Sequence, residues 1–262
     1  MHEYIKYKII DIRDECIDTK TFVLDKKLDA KPGNFVMLWL PGIGEKPISI
    51  SFSNPMELTV KKFGPFTTEL FKLKPGSNVW ARGPYGNSFL DFVDDNSKKY
   101  IIAGGTGAAP LKFLVESLKH GGEKPTVFLG VRNRESLLFE DHFRKFAELL
   151  IATSDGSYGN KGLTTDLFDR TVDLKENSQF FICGPEKMMI IAAQRAAKYT
   201  SPKNIILSME RYMKCGCGVC GGCEINGLRV CVDGPIFSYN SLLACSDFGR
   251  KKRNKNGKMV DL

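Results

Sequence analysis

Five of the chain's eight cysteines lie between Cys215 and Cys231, in the run Cys215-Gly-Cys-Gly-Val-Cys220-Gly-Gly-Cys223 followed by Cys231. Read without Cys217, the spacing is C-x4-C-x2-C-x7-C. A wide gap, a tight gap and a fourth, more distant cysteine is the order used to hold a [2Fe–2S] cluster. Four thiolates must converge on two irons, and the interspersed glycines permit the tight backbone this needs. Such clusters move single electrons, so the run predicts an electron-transfer protein. The competing reading of the same stretch is a structural zinc site on Cys217, Cys220, Cys223 and Cys231. Against it, such sites often use C-x2-C pairs on separate knuckles, and here the fourth ligand stands alone. Cys16 and Cys183 read as small buried residues, and Cys245 has no assigned role.

Two further stretches suit a phosphate-bearing ligand. Gly104-Gly105-Thr106-Gly107 lies between an apolar run and a helical pattern, where backbone N–H groups and a helix start can face an anion. Cys183-Gly184-Pro185 closes a later apolar run. In an open α/β sheet, ligands bind outside the carboxyl ends of the strands, and both motifs lie at such ends. The glycine run alone can also be a plain turn; Asp155-Gly-Ser-Tyr-Gly suits a plain turn or the lining of the same crevice. Lys46-Pro47-Ile48-Ser49 joins a cation, an extended segment and a hydroxyl, which suits a flavin phosphate or merely an X-Pro strand entry. His2, His120 and His142 sit in polar contexts and are expected at the surface; no Ser-His-Asp arrangement supports a hydrolase.

The elements that must position these residues change character along the chain. Short alternating or β-rich runs (Tyr4–Asp11, Lys20–Asp25, Asn34–Leu40, Glu57–Lys62, Asn78–Arg82), with one short helix over 68–74, predict a small antiparallel barrel or sandwich. Strands and helices then alternate: Lys99–Ala103, helix Ala109–Leu118, Pro125–Val131, helix Phe139–Leu150, a strand edge at Ile151–Ser154, Gln179–Pro185, helix Glu186–Tyr199 and Ile205–Met209. That alternation predicts a parallel sheet with crossovers. The expected fold class is α+β multidomain: an antiparallel β-barrel over 1–96, an α/β nucleotide domain over 97–205, and a small cysteine-bearing segment with a basic tail over 206–262.

Composition bounds the alternatives. At 262 residues, 42% hydrophobic and 26% charged, the chain is ordinary for a globular protein of two domains with an appendage. No stretch approaches a membrane span and the first residues carry no apolar signal region, so a cytoplasmic location is expected. The net charge of +8 is concentrated partly in Arg250–Arg253, Lys255 and Lys258. This reads first as a solvated tail, then as a patch for an acidic partner or cofactor phosphates. No nucleic-acid motif accompanies it.

Together these pieces resemble the electron-transfer subunit of class 1B dihydroorotate dehydrogenase, within the ferredoxin reductase superfamily. The resemblance runs from about Tyr4 to Phe248. It is most specific in Glu210-Arg-Tyr-Met-Lys-Cys215-Gly, Cys220-Gly-Gly-Cys223 and Cys231-Val-Asp-Gly-Pro235-Ile-Phe237. By that match Cys215, Cys220, Cys223 and Cys231 are the cluster ligands and Cys217 is extra. Lys46-Pro-Ile-Ser49 resembles the family's Arg-Pro-x-Ser flavin motif, with lysine in place of the planar arginine fork. Lys61-Lys62-Phe-Gly64-Pro-Phe66-Thr67-Thr68 resembles its second flavin segment. Gly104–Gly107 and Cys183–Pro185 resemble its nicotinamide-nucleotide segments. The resemblance implies FAD in the barrel cleft, NAD as acceptor, and an FMN-containing catalytic subunit as partner in a heterotetramer, all serving pyrimidine biosynthesis. It leaves open the small subunit of a bifurcating ferredoxin:NADP reductase, or of a sulfhydrogenase. NAD and NADP are undivided: Arg132 and Arg134 can meet a 2′-phosphate or serve as surface charge. A zinc-binding regulatory module is the alternative of another class.

Overall fold

In the computed structural model, residues 3–118, 124–171 and 177–262 are described. His2 and His120 lie outside them. Six strands close an antiparallel barrel in the order β1-β2-β5-β4-β3-β6. They are β1 (Ile5–Cys16), β2 (Thr19–Leu24), β3 (Phe35–Leu40), β4 (Gly44–Ser53), β5 (Met56–Lys61) and β6 (Asn78–Tyr85). A helix, α1 (Pro65–Leu70), bridges β5 and β6; it starts three residues earlier than the sequence suggests, because Thr67 Oγ1 caps its first turn by accepting from the Phe63 and Gly64 N–H groups. Alternation fills the barrel: Tyr7 and Ile9 of β1 point inward against Phe22, Leu24, Val36, Leu38, Ile50, Leu58 and Val79. Pairing all strands into a closed ring leaves no open edge.

The second unit is a seven-stranded sheet in the order β10-β9-β8-β7-β11-β12-β15. Its strands are β7 (Lys98–Gly104), β8 (Thr126–Val131), β9 (Glu148–Thr153), β10 (Asn160–Lys161), β11 (Ser178–Cys183), β12 (Ile205–Ser208) and, after the small hairpin β13 (Glu224–Ile225) and β14 (Leu228–Arg229), β15 (Ile236–Ser238). Helices α2 (Ala108–Ser117), α3 (Glu140–Phe146), α4 (Phe168–Thr171), α5 (Glu186–Ala196) and α6 (Tyr239–Leu242) complete it. All ladders are parallel except β12–β15. Buried on both faces, β7, β8 and β11 read as continuous apolar runs, as parallel strands do. The helix expected over Phe139–Leu150 ends at Phe146. Leu149 and Leu150 instead pair with Val127 and Phe128, because an extended apolar run gains more by completing the sheet than by prolonging a helix.

From β7 the chain passes to β8 on one side and returns as β11 on the other. This makes the β7/β11 boundary the topological switch point, where ligands bind in such sheets. The cysteine segment closes the gap between the two units. Its Met213, Cys223, Ile225, Val230 and Cys231 share one core with Phe35, Met37 and Tyr85 of the barrel and with Ile182 and Leu207 of the sheet. The basic residues after Phe248 do not trail into solvent. They form a hairpin, β16 (Lys251–Arg253) with β17 (Met259–Asp261), whose turn is held by the Asn254 side chain accepting from the Asn256 and Lys258 N–H groups. Local hydrogen bonding offers these charges an ordered alternative to a free tail while leaving most of them exposed. His142 also departs from expectation. It is half-buried against Phe146 (ring centroids 4.9 Å), and burial first, then the nearby Lys112, lowers its pKa. Among the described residues no helix is long and apolar enough to cross a membrane.

Candidate functional site: a cleft beside paired thiols

A cavity of about 730 Å³ opens between barrel, sheet and cysteine segment. The barrel contributes Lys46, Pro47, Ile48 and Ser49 from β4 together with Lys61, Phe63 and Thr67; the sheet contributes Thr106, Gly107 and Cys183; the segment before the cysteines contributes Glu210, Arg211, Tyr212 and Met213. A second cavity of about 330 Å³ adjoins it, sharing Lys61 and Thr106 and adding Gly104, Gly105, Pro185, Arg132 and Ser154. The four motifs singled out from the sequence thus meet along one cleft.

The sheet explains why. Cys183 pairs with Ala103 in the β7–β11 ladder, so the glycine run and Cys183-Gly184-Pro185 leave the sheet side by side at the switch point. Gly107 is glycine because a Cβ there would collide with the Cys183 carbonyl. Gly105 meets open space, but its φ of +52° suits a residue without a side chain. Helix α2 has no side-chain cap; the short 3₁₀ turn Gly105–Gly107 leads into it, the Ala108 N–H donating to the Gly105 carbonyl, so the N–H groups without intrahelical partners are those at the start of this turn, beside the cleft. Lys62 is exposed, Phe66 is buried in the barrel core, and Gly64, Thr68 and Gly184 are half-buried and line neither cavity.

Charge in the cleft is mainly positive. The Lys46 ammonium lies 5.2 Å from the ring centre of Tyr212, tying β4 to the strand of chain that leads to Cys215. Lys61 pairs with Asp18 at 2.9 Å. Arg211 is buried and gripped by Glu186 (2.6 Å from Nη1, 3.0 Å from Nη2). Glu186 also accepts from the Gly249 N–H at 2.8 Å, anchoring the entry to the terminal hairpin. Lys252, Arg253 and Asn254 of that hairpin line the large cavity. Glu210 is the carboxylate among them. Its surface is accessible through the cavity, yet the protein packed around it raises its pKa by burial, with Lys252 opposing and Glu186 adding to the rise. Beside it, burial and then the Glu210 carboxylate push the Cys183 thiol up to about 12, so Cys183 stays a neutral thiol at the wall. Arg134 is set aside from the cleft, with its guanidinium 5.1 Å from the Tyr158 ring. The Asp155 turn closes on itself through Ser157.

Past Met213 the chain enters the cysteine loop. All eight cysteines are free. Cys215 and Cys220 are neighbours, the Cys220 N–H donating to the Cys215 sulfur at 3.4 Å, and Cys223 and Cys231 form a second neighbouring pair. Among the described residues no larger group of His, Cys, Asp and Glu meets as a ligand set for one ion. The backbone is arranged for thiolate. Burial acts to raise the Cys215 thiol, but the N–H groups of Cys217 and Cys220, the Cys220 side chain and the Val219 N–H together lower it to about 6. The Gly218 N–H points at the Cys231 sulfur at 3.2 Å, although burial first, then Cys223, pushes that thiol up to about 12. Two thiol pairs on one loop, with amide donors aimed at sulfur, fit a two-iron cluster. Cys217 offers its N–H to Cys215 while its side chain packs on the hydrophobic core. The sequence marked Glu210 to Met213 as the opening of the cysteine segment and read Arg250–Arg253 first as a solvated tail; the place of both stretches in the cleft is set by long-range packing.

Comparison with known proteins agrees with this geometry. The family described as the iron-sulfur cluster binding domain of dihydroorotate dehydrogenase B matches residues 210–243, and the oxidoreductase NAD-binding domain matches residues 101–194. A protein of Methanocaldococcus jannaschii named "Probable dihydroorotate dehydrogenase B (NAD(+)), electron transfer subunit" is 42% identical over 99% of both chains. A protein of Methanocella arvoryzae with the same name is 44% identical over 97% of both. A solved NADH-dependent reduced ferredoxin-NADP oxidoreductase superposes with TM-score 0.78 at 27% identity, covering 92% of each chain. With the barrel, the switch-point cleft and the paired thiols in this order, the chain belongs to the family of electron transfer subunits of dihydroorotate dehydrogenase B, an oxidoreductase.

Proposed function

We propose that this chain carries electrons from an FMN-containing catalytic subunit, with which it forms a heterotetramer, to NAD+. In this reading Cys215, Cys220, Cys223 and Cys231 hold a [2Fe–2S] cluster, the barrel side of the cleft holds FAD, and the switch point holds the nicotinamide nucleotide. When bound, the cluster exchanges single electrons, the flavin exchanges single electrons or hydride, and NAD+ accepts hydride. The observation that carries the reading is continuity. Glu210-Arg211-Tyr212-Met213 forms one wall of the large cavity and runs directly into Cys215, so the cleft and the thiol pairs share a segment of backbone.

The chain's own residues have separable tasks. Lys46, Lys61, Lys252 and Arg253 offer cations to dinucleotide phosphates, which bind best through charge-assisted hydrogen bonds. Ser49 and Thr67 supply hydroxyls on the same wall. Thr106 and Gly107 present the uncapped start of α2, where the helix dipole favours an anion. Cys183 adds a buried, uncharged thiol to the wall of the large cavity. Val219, 84% exposed at the tip of the cysteine loop, lies on the face offered to a partner.

The test is to purify the chain with its catalytic partner and substitute Cys220→Ser. The parent complex should show flavin and iron–sulfur absorption with about two irons per chain, and should form NADH from dihydroorotate. The variant should lose iron and NADH formation together. A colourless protein containing zinc, or unchanged NADH formation in the variant, would refute the reading. The likeness to the ferredoxin-NADP oxidoreductase keeps a second electron carrier in view: NADPH formation from reduced ferredoxin, without any response to dihydroorotate, would favour it.

A further inference from the structure

Arg82, on β6, reaches across 133 positions of sequence to the cysteine loop. Its Nη1 donates to the Cys215 carbonyl at 2.7 Å and to the Tyr85 hydroxyl at 3.1 Å. Its Nε and Nη2 take both oxygens of Glu45, at 2.7 and 2.8 Å. Tyr4 completes the cage, donating to Glu45 at 2.7 Å and standing 3.3 Å from Nε. The guanidinium also lies 5.6 Å from the ring centres of Tyr4 and Tyr85. The side chains of Arg82 and Glu45 are only 9% and 17% exposed. The loop seats closely at this spot: a Cβ on Gly216, which has φ +69°, would come within 2.9 Å of Met37 on β3.

We propose that Arg82 is a positioning residue for the iron–sulfur loop: it fixes the Cys215 backbone to the flavin-side barrel, and Glu45 balances the charge it brings there. This rests on the reading of Cys215 as a cluster ligand. Only a planar fork can hold a bidentate carboxylate on one edge and a backbone carbonyl on the other; lysine has one nitrogen for both. Cluster potentials respond to local net charge and to hydrogen bonding around the ligands, so the two roles separate by mutation. Glu45→Gln keeps the bond to Cys215 and leaves the guanidinium unbalanced. Arg82→Gln combined with Glu45→Gln keeps the net charge and removes the clamp.

The experiment uses the full-length chain in complex with its catalytic subunit, prepared without oxygen. Glu45→Gln should raise the midpoint potential of the cluster with its EPR g-values unchanged. The double variant should shift or broaden the EPR signal after dithionite reduction, and lose iron to a chelator about tenfold faster, as expected for a lost hydrogen bond from a charged donor. Arg82→Lys should resemble the double variant in iron loss. Circular dichroism establishes that each variant folds; if the double variant does not fold, the potential of Glu45→Gln decides. Parent-like potential, g-values and iron loss in the folded variants would overturn the proposal. A parent protein without iron would overturn the reading of the cysteines, and this proposal with it.

Discussion

Lys112 on α2 donates to Glu57 on β5 at 2.7 Å, with both side chains about one-tenth exposed. This pair spans the two units that form the cleft, and Arg13 approaches the other oxygen of the same carboxylate. Burying one carboxylate between two cations is strongly asymmetric. Replacing Glu57 by leucine strands two partners and should cost about 3–5 kcal/mol, the scale for breaking a buried pair by removing one member. Lys112→Met leaves Glu57 with Arg13 and should cost clearly less. Urea unfolding of both variants measures the difference. Equal losses would show that Arg13 does not share the charge.

Cys217 lies inside the cysteine run but packs its side chain on the core. Cys217→Ser should retain the parent iron content, with at most a modest loss of stability from placing a hydroxyl against apolar neighbours. Cys223→Ser should lose iron. Iron and labile-sulfide assays on the two proteins check this, and the opposite pattern would put Cys217 in the ligand set in place of Cys223.

The terminal hairpin should matter to cofactor binding. Lys252 and Arg253 line the large cavity, and the double change Lys252→Ala with Arg253→Ala should weaken FAD binding by about tenfold, the scale of losing one hydrogen bond to a charged group. The hairpin backbone is held independently at Gly249 by Glu186, so the fold should persist. Titration of the flavin-free protein, followed by flavin fluorescence, reads the change. A dissociation constant equal to the parent's would place the hairpin outside the flavin site.

His142 gives a pH signature. Its pKa is lowered from the usual 6.5, by burial first and then by Lys112, so on acidification the unfolded chain takes up the proton before the folded one. Its contribution to stability is therefore complete above about pH 7 and falls as the pH drops through 6.5 towards the depressed folded value. Chemical unfolding from pH 7.5 to 5.5 should show that decline. In His142→Phe the corresponding part of the slope should vanish.

Much of the chemistry was legible in the residues because it is local. The C-x4-C-x2-C-x7-C spacing acts within one loop. The glycine run after an apolar strand, with α2 following at helical spacing, is likewise a short-range pattern, and so is the alternation that fills the barrel. What folding alone decided depends on distant chain segments. Nothing near Arg82 in sequence indicates Cys215. The charge run Arg250–Arg253 has the composition of a solvated tail, and only the Glu186 anchor and its own hairpin bonds bring it to the cleft. Leu149 and Leu150 suit helix or strand equally, and the partner strand β8 settles them as strand. Periodicity and spacing encode which residues can do chemistry; which of them meet is decided by packing free energy summed over contacts that no short window of sequence contains.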